Sequence, residues 1–598
     1  MEHSRPVRLY LGCFYHFVQQ FVGTRSRRMM RAGPRGKRGR KSPKIRVHGE
    51  IDSNEKRRNG SVKNLYGILL LGGAISTVAA LDCYSQSVEN TVAANSVNVL
   101  EYGARADGKT LSTGAIQSAI DCCAGHGGGT VFFPPGNYLS GTLQLKTNTT
   151  IYIEQGATLY GSKAIDDYDS VSEVHFGGPD RYFLCATDAN NIVIEGRGTI
   201  DGQGNAFWES EMFSPLVFKP KPNRPASVVR LTRCQNVTIS DITIRNSPCY
   251  TVWLLGCDRA NITGVNIDNS RKGPNTDGLD IDCSSNVAIS NCYISAGDDC
   301  IALKSDAAKL GYTKACENVT VTNCALSSTA CGVRIGYEGD APIRNCTFAN
   351  IVIFDTHIGI DMVSILPTLR VPFTRIDAGT EIDGIIFAGV VMDRVDRPIF
   401  IWMGREHNGD FRGKIENISI DNLVARTANS CYIGGMPEKA VRGVTLTNIR
   451  LTLNGEMKPA PNADSPGVWG FEKIPWGIYC RWAEDLKLDN VQIEWGAASG
   501  EWLGAIKCEN VKNLEILNFT GKQFVGEGSA IQLRDVKGAF LHGCNAPAGT
   551  ARFLVLEGSE TEGIVLGFNN LAKAKVAFEC LDGVPKDAVS NVSNNLGP

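Results

Sequence analysis

The 598-residue chain predicts an all-β fold, a parallel β-helix closed at its start by a short capping helix. Three observations carry that prediction. Short apolar-alternating runs recur along the chain, many opened by asparagine. They include Asn191-Ile-Val-Ile, Asn236-Val-Thr-Ile, Asn261-Ile-Thr-Gly-Val-Asn-Ile, Asn286-Val-Ala-Ile, Asn318-Val-Thr-Val and Asn417-Ile-Ser-Ile, with Val444-Thr-Leu and Asn510-Val-Lys-Asn-Leu further on. Several neighbours lie 25–32 residues apart, so each run reads as one rung that buries its apolar face only when stacked on the next. Glycine is abundant, 64 residues with no G-x-y period, which points to many tight turns between short strands.

Parallel strands need crossovers, and a coiled rung supplies them from its own turns. An asparagine at each turn can bond to the one above it along the axis. Upstream of the rungs, Thr113-Gly-Ala-Ile-Gln-Ser-Ala-Ile-Asp-Cys-Cys-Ala places Ile116, Ile120 and Cys123 on one stripe, and the glycines from Gly125 end the helix. Such a helix covers the open apolar end that a solenoid otherwise exposes.

Charge divides the chain in two. Residues 1–63 hold 17 Lys/Arg against 4 Asp/Glu, whereas the remaining 535 hold 44 against 58. The first 63 residues read as a solvated basic arm. The acidic body excludes nucleic acid as the partner, since phosphate neutralisation needs a basic surface. Residues 64–84 read as a signal peptide or signal-anchor. The uncharged stretch Leu65–Ala80 is short for a span of about 20 residues and matches a secretory h-region. Lys63 supplies the preceding charge, and Thr77-Val78-Ala79 or Val78-Ala79-Ala80 the cleavage site. A signal sits near the true N-terminus, so residues 1–61 read as an over-extended start, with an anchored chain as the alternative. By either route residues 95–598, the β-helix body, are expected outside the cytoplasm: secreted, periplasmic or in the cell envelope. Membrane contact is expected only through that anchor, and a monomer is expected.

Of 20 cysteines, 18 lie from Cys122 onward, about one per strand-like run. Export permits disulfides, and Cys122–Cys123 and Cys292–Cys300 are conceivable partners. The spread along strands favours free thiols buried as small hydrophobes. No C-x-x-C pair with zinc spacing occurs, so neither a metal nor another cofactor is expected.

Asn98-Val-Leu-Glu-Tyr-Gly-Ala-Arg-Ala-Asp-Gly, Gly127-Gly-Gly-Thr-Val-Phe-Phe-Pro-Pro-Gly-Asn-Tyr, Gly156-Ala-Thr-Leu-Tyr-Gly-Ser and Gly198-Thr-Ile-Asp-Gly-Gln-Gly resemble the opening of pectin-degrading β-helix enzymes. Asn275-Thr-Asp-Gly followed by Gly297-Asp-Asp is more specific. With Gly435-Met-Pro-Glu and Val444-Thr-Leu-Thr-Asn-Ile-Arg, these motifs resemble glycoside hydrolase family 28, the polygalacturonases, and its bacterial branch above all. The resemblance covers residues 95–455 well. It implies a right-handed, pectin lyase-like β-helix and inverting hydrolysis of a polysaccharide substrate, pectin or a related glycan.

The residues support that chemistry independently. Asp277 is about one rung from the Asp298–Asp299 pair, so stacking can bring the three together. Like charges raise at least one pKa, as a general acid near neutral pH requires. An inverting glycosidase needs one protonated carboxyl for the leaving oxygen and a carboxylate to activate water. The resemblance makes Asp298 the acid and gives the water to Asp277 and Asp299. The bland alternative, Asp-rich turns making Asx bonds, does not explain three such residues in two motifs. Asp280 and Asp282 read as supporting or solvated carboxylates.

Substrate contacts are expected from Asn275, Lys304, Arg334, Glu338 and Trp253. Lys304 matches a frequent bacterial variant and reads as cleft-lining or surface. Trp253, where relatives carry His, can stack on a sugar ring or pack a rung. The departures are as informative. The family's Gly-His-Gly aligns with Thr329-Ala-Cys-Gly, placing Ala330 or Cys331 where His stands. The family's Arg-Ile-Lys, a grip on the uronate carboxylate, aligns with Asp361-Met-Val, and Asp361 would repel a uronate. Arg334 and Glu338 read as rebuilding that subsite or as plain surface charge. His357 and His407 read as structural, and Trp469, Trp476, Trp482, Trp495 and Trp502 as cleft edge or loop packing. A non-catalytic glycan-binding solenoid and a polysaccharide lyase on the same fold are the alternatives. A lyase needs a Lys or Arg base beside a calcium-binding carboxylate cluster, and no such constellation stands out.

Overall fold

The computed structural model describes residues 96–597, apart from 176–177, 213–216, 222, 367–375, 406–408, 460–469, 471 and 582. The basic arm, the hydrophobic segment, His407 and Trp469 lie outside the described residues. Residues 95–598 form one compact unit. Among the described residues, no helix is long and apolar enough to cross a membrane.

The chain winds as a coil of short strands whose neighbours along the axis pair in parallel. Period-2 alternation turns every second side chain inward. Successive rungs therefore stack like residues on like: Ile194, Ile239, Ile262 and Ile289 occupy one column, which continues through Val321, Phe348 and Phe387. Every member of this column is at most 1% exposed. Phe348 and Phe387 stack face to face with centroids 4.4 Å apart. Burying each such side chain contributes about 1.5–3 kcal/mol, so the column is a main source of stability. The helix α1 (Thr113–Gly125) caps the start, burying Ile116, Ala119, Ile120 and Cys123 as the apolar stripe requires.

The recurrent asparagines occupy corners within the rungs, in the left-handed backbone region. Asn191, Asn236, Asn286, Asn318 and Asn417 have φ of 55–57°. Their side chains bond along the axis: Asn191 donates to Asn148 at 2.6 Å, Asn236 to Asn191 at 3.0 Å and Asn318 to Asn286 at 3.0 Å. The run at Asn261 departs from the expected pattern. There Arg259 takes the turn, at φ 56°, and donates to Asn236 at 2.7 Å.

All 18 described cysteines are free, and all but Cys122 and Cys580 are buried. Twelve of them join the interior core, the role expected for small hydrophobic thiols, whereas Cys185, Cys249, Cys283 and Cys331 are buried outside it.

Candidate active site

One sheet of the coil carries the chemistry on its outer face. Its strands are β1 (Ser227–Thr232), β2 (Tyr250–Leu255), β3 (Leu279–Asp282), β4 (Ile301–Ser305), β5 (Cys331–Gly339), β6 (Ile343–Leu366), β7 (Glu381–Arg405), β8 (Cys431–Gly434) and β9 (Trp476–Trp495). Register places Arg230, Trp253, Asp280, Ala302, Arg334, Asp361, Phe400, Tyr432 and Tyr479 in one column along the axis.

Asp277 enters β3 and Asp298–Asp299 enter β4 from equivalent turns, one rung apart. The Gly278 amide donates to the Asp299 carbonyl at 2.9 Å, and the Asp277 carbonyl accepts from Thr251 at 3.0 Å. Thr276 ties the two turns together, its hydroxyl accepting from the Gly297 amide at 3.1 Å. The glycines allow this approach: a Cβ at Gly297 would lie 2.3 Å from the Gly273 carbonyl oxygen, and one at Gly278 2.4 Å from that of Cys300. In consequence one carboxylate oxygen from each of Asp277, Asp298 and Asp299 lies within 4.8 Å of the others.

Two buried cations balance the cluster. Lys304 Nζ lies 3.2 Å from Asp277, 2.9 Å from Asp280 and 2.9 Å from Glu338, and 4.1 Å from the centre of the Tyr250 ring. Arg334 Nε lies 2.6 Å from Asp299, and its Nη1 3.2 Å from Asp361. Each pair leaves one oxygen over: Asp277 Oδ1 and Asp299 Oδ1 are buried and accept no hydrogen bond from the protein. The trio's spacing would also suit a metal cation, but Lys304 and Arg334 already supply positive charge to two of its carboxylates.

Asp298 differs from its partners. Asp277 and Asp299 are buried, whereas Asp298 keeps a partly accessible edge. Its Oδ2 accepts only a long bond from Asn275, 3.4 Å, and Asn275 is held at φ 54° by Arg224, which donates to it at 2.8 Å. Burial, reinforced by Asp277 and Asp299, pushes the Asp298 carboxyl well above the usual range. Burial also raises Asp277, to about 6, with Lys304 pulling against it. Lys304 itself stays charged. Burial alone would lower its pKa, but Asp280 and Glu338 outweigh that and hold it above the ordinary lysine value. The arrangement thus presents one carboxyl fit to donate a proton beside two carboxylates clamped by cations.

The structure brings together the predicted trio with Asn275, Lys304, Arg334 and Glu338, but gives several of them other work. Lys304 is 2% exposed and does not line a cleft. It was drawn inside because three carboxylates surround it. Arg334 is likewise buried and committed to Asp299 and Asp361, and Glu338 accepts from Lys304, so neither forms a surface grip. Trp253 offers no face to a sugar: it is 1% exposed, with the Arg230 guanidinium 3.3 Å from its ring centre and its Nε1 donating to Asp282 at 3.3 Å. Asp361 is no bare charge facing the substrate, being buried between Arg334 and the Cys331 thiol, which donates to it at 3.2 Å. Asp280 and Asp282 are buried supports. Trp476 and Trp502 are also buried, and Trp495 packs against Trp502 with centroids 5.5 Å apart, so these rings serve loop packing.

Sequence reasoning missed a groove of about 500 Å³ that starts one rung on from Asp298 and runs over successive rungs, lined by Arg271, Ser328, Thr329, residues 355–357, 393–396 and 426–428, and Asn454. Ser328 donates to the Asp298 carbonyl, and Thr329 to that of Gly297 at 2.7 Å, so its wall continues the catalytic turn. His357 sits 3.1 Å from Asp396. Only the Ser-Thr-rich turn one rung on, at 327–329, hinted at this.

Comparison with known proteins agrees with the motifs. The model of glycosyl hydrolases family 28 matches residues 123–466. A probable polygalacturonase of Vitis vinifera is 26% identical, over 62% of this chain and 76% of its own. The endo-polygalacturonase of Pectobacterium carotovorum subsp. carotovorum is 28% identical, over 62% and 90% respectively. The family 28 exopolygalacturonase structure from Yersinia enterocolitica superposes with a TM-score of 0.56 at 21% identity, covering 70% of this chain and 78% of that one, and shows the shared fold. With more than half its length matched by the family, and the motifs converging on one carboxylate cluster, this chain belongs to glycosyl hydrolases family 28 and is a glycosidase.

Proposed function

We propose that the protein is an exported hydrolase of a pectin-type polysaccharide, with Asp298 as general acid and Asp277 and Asp299 as the carboxylates that hold and activate water. The observation that carries this reading is the trio itself, three carboxylate oxygens within 4.8 Å with separate cations on two of them. Relatives named polygalacturonases support the substrate class. The uncharged stretch Leu65–Ala80 supports export.

In this mechanism Asp298 gives its proton to the glycosidic oxygen as the bond to the anomeric carbon breaks. Water attacks that carbon from the opposite face, and its proton passes to Asp277 or Asp299. Paired carboxylates about 5–5.5 Å apart usually signal retention, and about 6.5–9.5 Å inversion. Inversion is the reading here despite the short spacing, because neither candidate nucleophile is free. Each is bound through one oxygen to a cation, and the two oxygens left over suit a shared water better than direct attack.

Incubation with a panel of pectic polysaccharides tests this reading. Hydrolysis releases new saturated reducing ends, whose first-formed anomer by NMR is inverted. An ultraviolet-absorbing unsaturated end would mark a lyase, and no new ends on any glycan would mark a binding protein.

A further inference from the structure

We infer that Arg271 is a positioning residue for the general acid. Its guanidinium ties the loop that carries Asn275 and Asp277 to the turn at 327–329, two rungs on, and so clasps the Asp298 turn between them. This rests on the hydrolase reading above, and concerns how the acid is held, not which glycan is cut.

The Asp298 carboxyl has little to hold it in place. Asp277 and Asp299 are clamped by Lys304 and Arg334, whereas the Asp298 carboxyl accepts one bond of 3.4 Å, from Asn275. Its aim is therefore set by the backbone at 297–298, and both carbonyls of that backbone are held from the next rung. The Ser328 hydroxyl donates to the Asp298 carbonyl and accepts from the Ala330 amide at 2.9 Å. The Thr329 hydroxyl lies 2.7 Å from the Gly297 carbonyl and 3.1 Å from the carbonyl of Arg271.

Arg271 fixes those two hydroxyl-bearing residues in turn. It stands in the loop shortly before Asn275 and Asp277. Its Nη1 donates to the Ser327 hydroxyl, and its Nη2 to the carbonyls of Ser328, at 3.2 Å, and of Asp355. The side chain thus joins its own loop to the two rungs beyond that of Asp298. The turn it encloses is tightly packed: a Cβ at Gly297 would lie 2.3 Å from the Gly273 carbonyl oxygen and 2.6 Å from that of Ser270. A planar guanidinium with several fixed donors suits acceptors spread over two rungs, which the compact ammonium of a lysine does not. Arg271 is half-buried and lines the groove, so the space its guanidinium fills is reached from solvent.

The test is Arg271→Ala in the full-length enzyme, assayed for reducing-end release on the pectic glycan that the wild type cuts best. Assays are run with and without guanidinium chloride at about 20–50 mM, far below the denaturing range. A misplacement of about 1 Å costs on the order of 10²-fold, so kcat should fall by about 10- to 10²-fold with KM little changed. Guanidinium entering from the groove should recover part of that loss, several-fold and saturably, whereas sodium chloride at the same concentration should not. Arg271→Lys should stay low and gain nothing from sodium chloride. Arg271→Ser gives the same readings if the alanine variant folds poorly. A kcat within about twofold of wild type in a folded variant, well short of that positional cost, would overturn the inference. A rise in KM with kcat unchanged would make Arg271 a substrate contact, and a loss that guanidinium leaves untouched would make it a merely structural strap. Either result would overturn the inference while upholding the hydrolase. No new reducing ends from the wild type on any pectic glycan would overturn the hydrolase reading, and this inference with it.

Discussion

Arg334 and Asp361 face each other in adjacent rungs, Nη1 to Oδ2 at 3.2 Å, and the same guanidinium reaches Asp299 at 2.6 Å. The family resemblance implies a basic group at the position of Asp361. Here the arginine is one rung away, and its charge is spent on a water-holding carboxylate and on Asp361. The acidic replacement is thus explained as the partner of a displaced arginine. It leaves Arg334 as a positioning residue for Asp299.

Arg334→Ala should therefore lower kcat by at least about 10²-fold, the scale of a lost acid–base contribution, with KM little changed on charged and uncharged glycans alike. It should also destabilise the fold by about 3–5 kcal/mol, because two buried carboxylates lose their cation. Thermal melts should show part of that loss recovered in Arg334→Ala/Asp361→Ala. A rise in KM confined to uronate substrates would mean that Arg334 binds substrate instead.

The pH profile follows from Asp277. As a base it must be ionised, and burial holds its pKa at about 6, so kcat/KM should fall as pH drops through that value. The upper limb belongs to Asp298, which must stay protonated and whose pKa is raised by burial and its carboxylate neighbours. These limbs report the coupled cluster as a whole. Lys304→Met removes the cation that pulls Asp277 downward, so the acid limb should move to higher pH. An unmoved acid limb in that variant would contradict the role given to Lys304.

Restoring the family's basic pair, Asp361→Arg with Val363→Lys, should not create activity on polygalacturonate. Both positions are buried, at 1% and 0% exposure, and the new cations would adjoin Arg334. The expected outcome is a lower melting temperature with no gain in uronate turnover. A gain in kcat/KM on polygalacturonate would show that this face opens to substrate.

Much of this was legible in the sequence, for identifiable reasons. Asn191, Asn236 and Asn318 announced their turns because asparagine is among the few side chains that tolerate the left-handed region. Ile116, Ile120 and Cys123 announced the cap by helical spacing. Asp277 and Asp298–Asp299 could be brought together by counting one rung. The depth of Lys304, Arg334 and Trp253 could not be read, since a charged or aromatic residue on an outward-facing strand position is exposed unless a loop covers it. Distant segments can supply such cover, as where Arg397 holds Gly470 and Glu472, and Ile474 and Trp476 pack with Phe400 and Tyr432. Arg259 in an asparagine slot was equally hidden, because arginine does not signal a left-handed turn.

The turn ladder offers an independent check on the fold. Asn318→Ala loses a hydrogen bond and keeps a left-handed backbone without the side chain that tolerates it, costing about 1–3 kcal/mol in all. Asn318→Gly should cost less, because glycine adopts positive φ freely. Denaturant melts ranking alanine no worse than glycine would contradict the ladder's role.

The most direct test of the account is Asp298→Asn, assayed by reducing-end release on the best pectic substrate, with the wild-type melting curve as the control for folding. Asparagine keeps the shape but has no proton to give the leaving oxygen. The account predicts a loss of about 10²–10⁴-fold or more in kcat with the fold intact. Activity within about twofold of wild type, far below the smallest loss expected for a missing general acid, would contradict it.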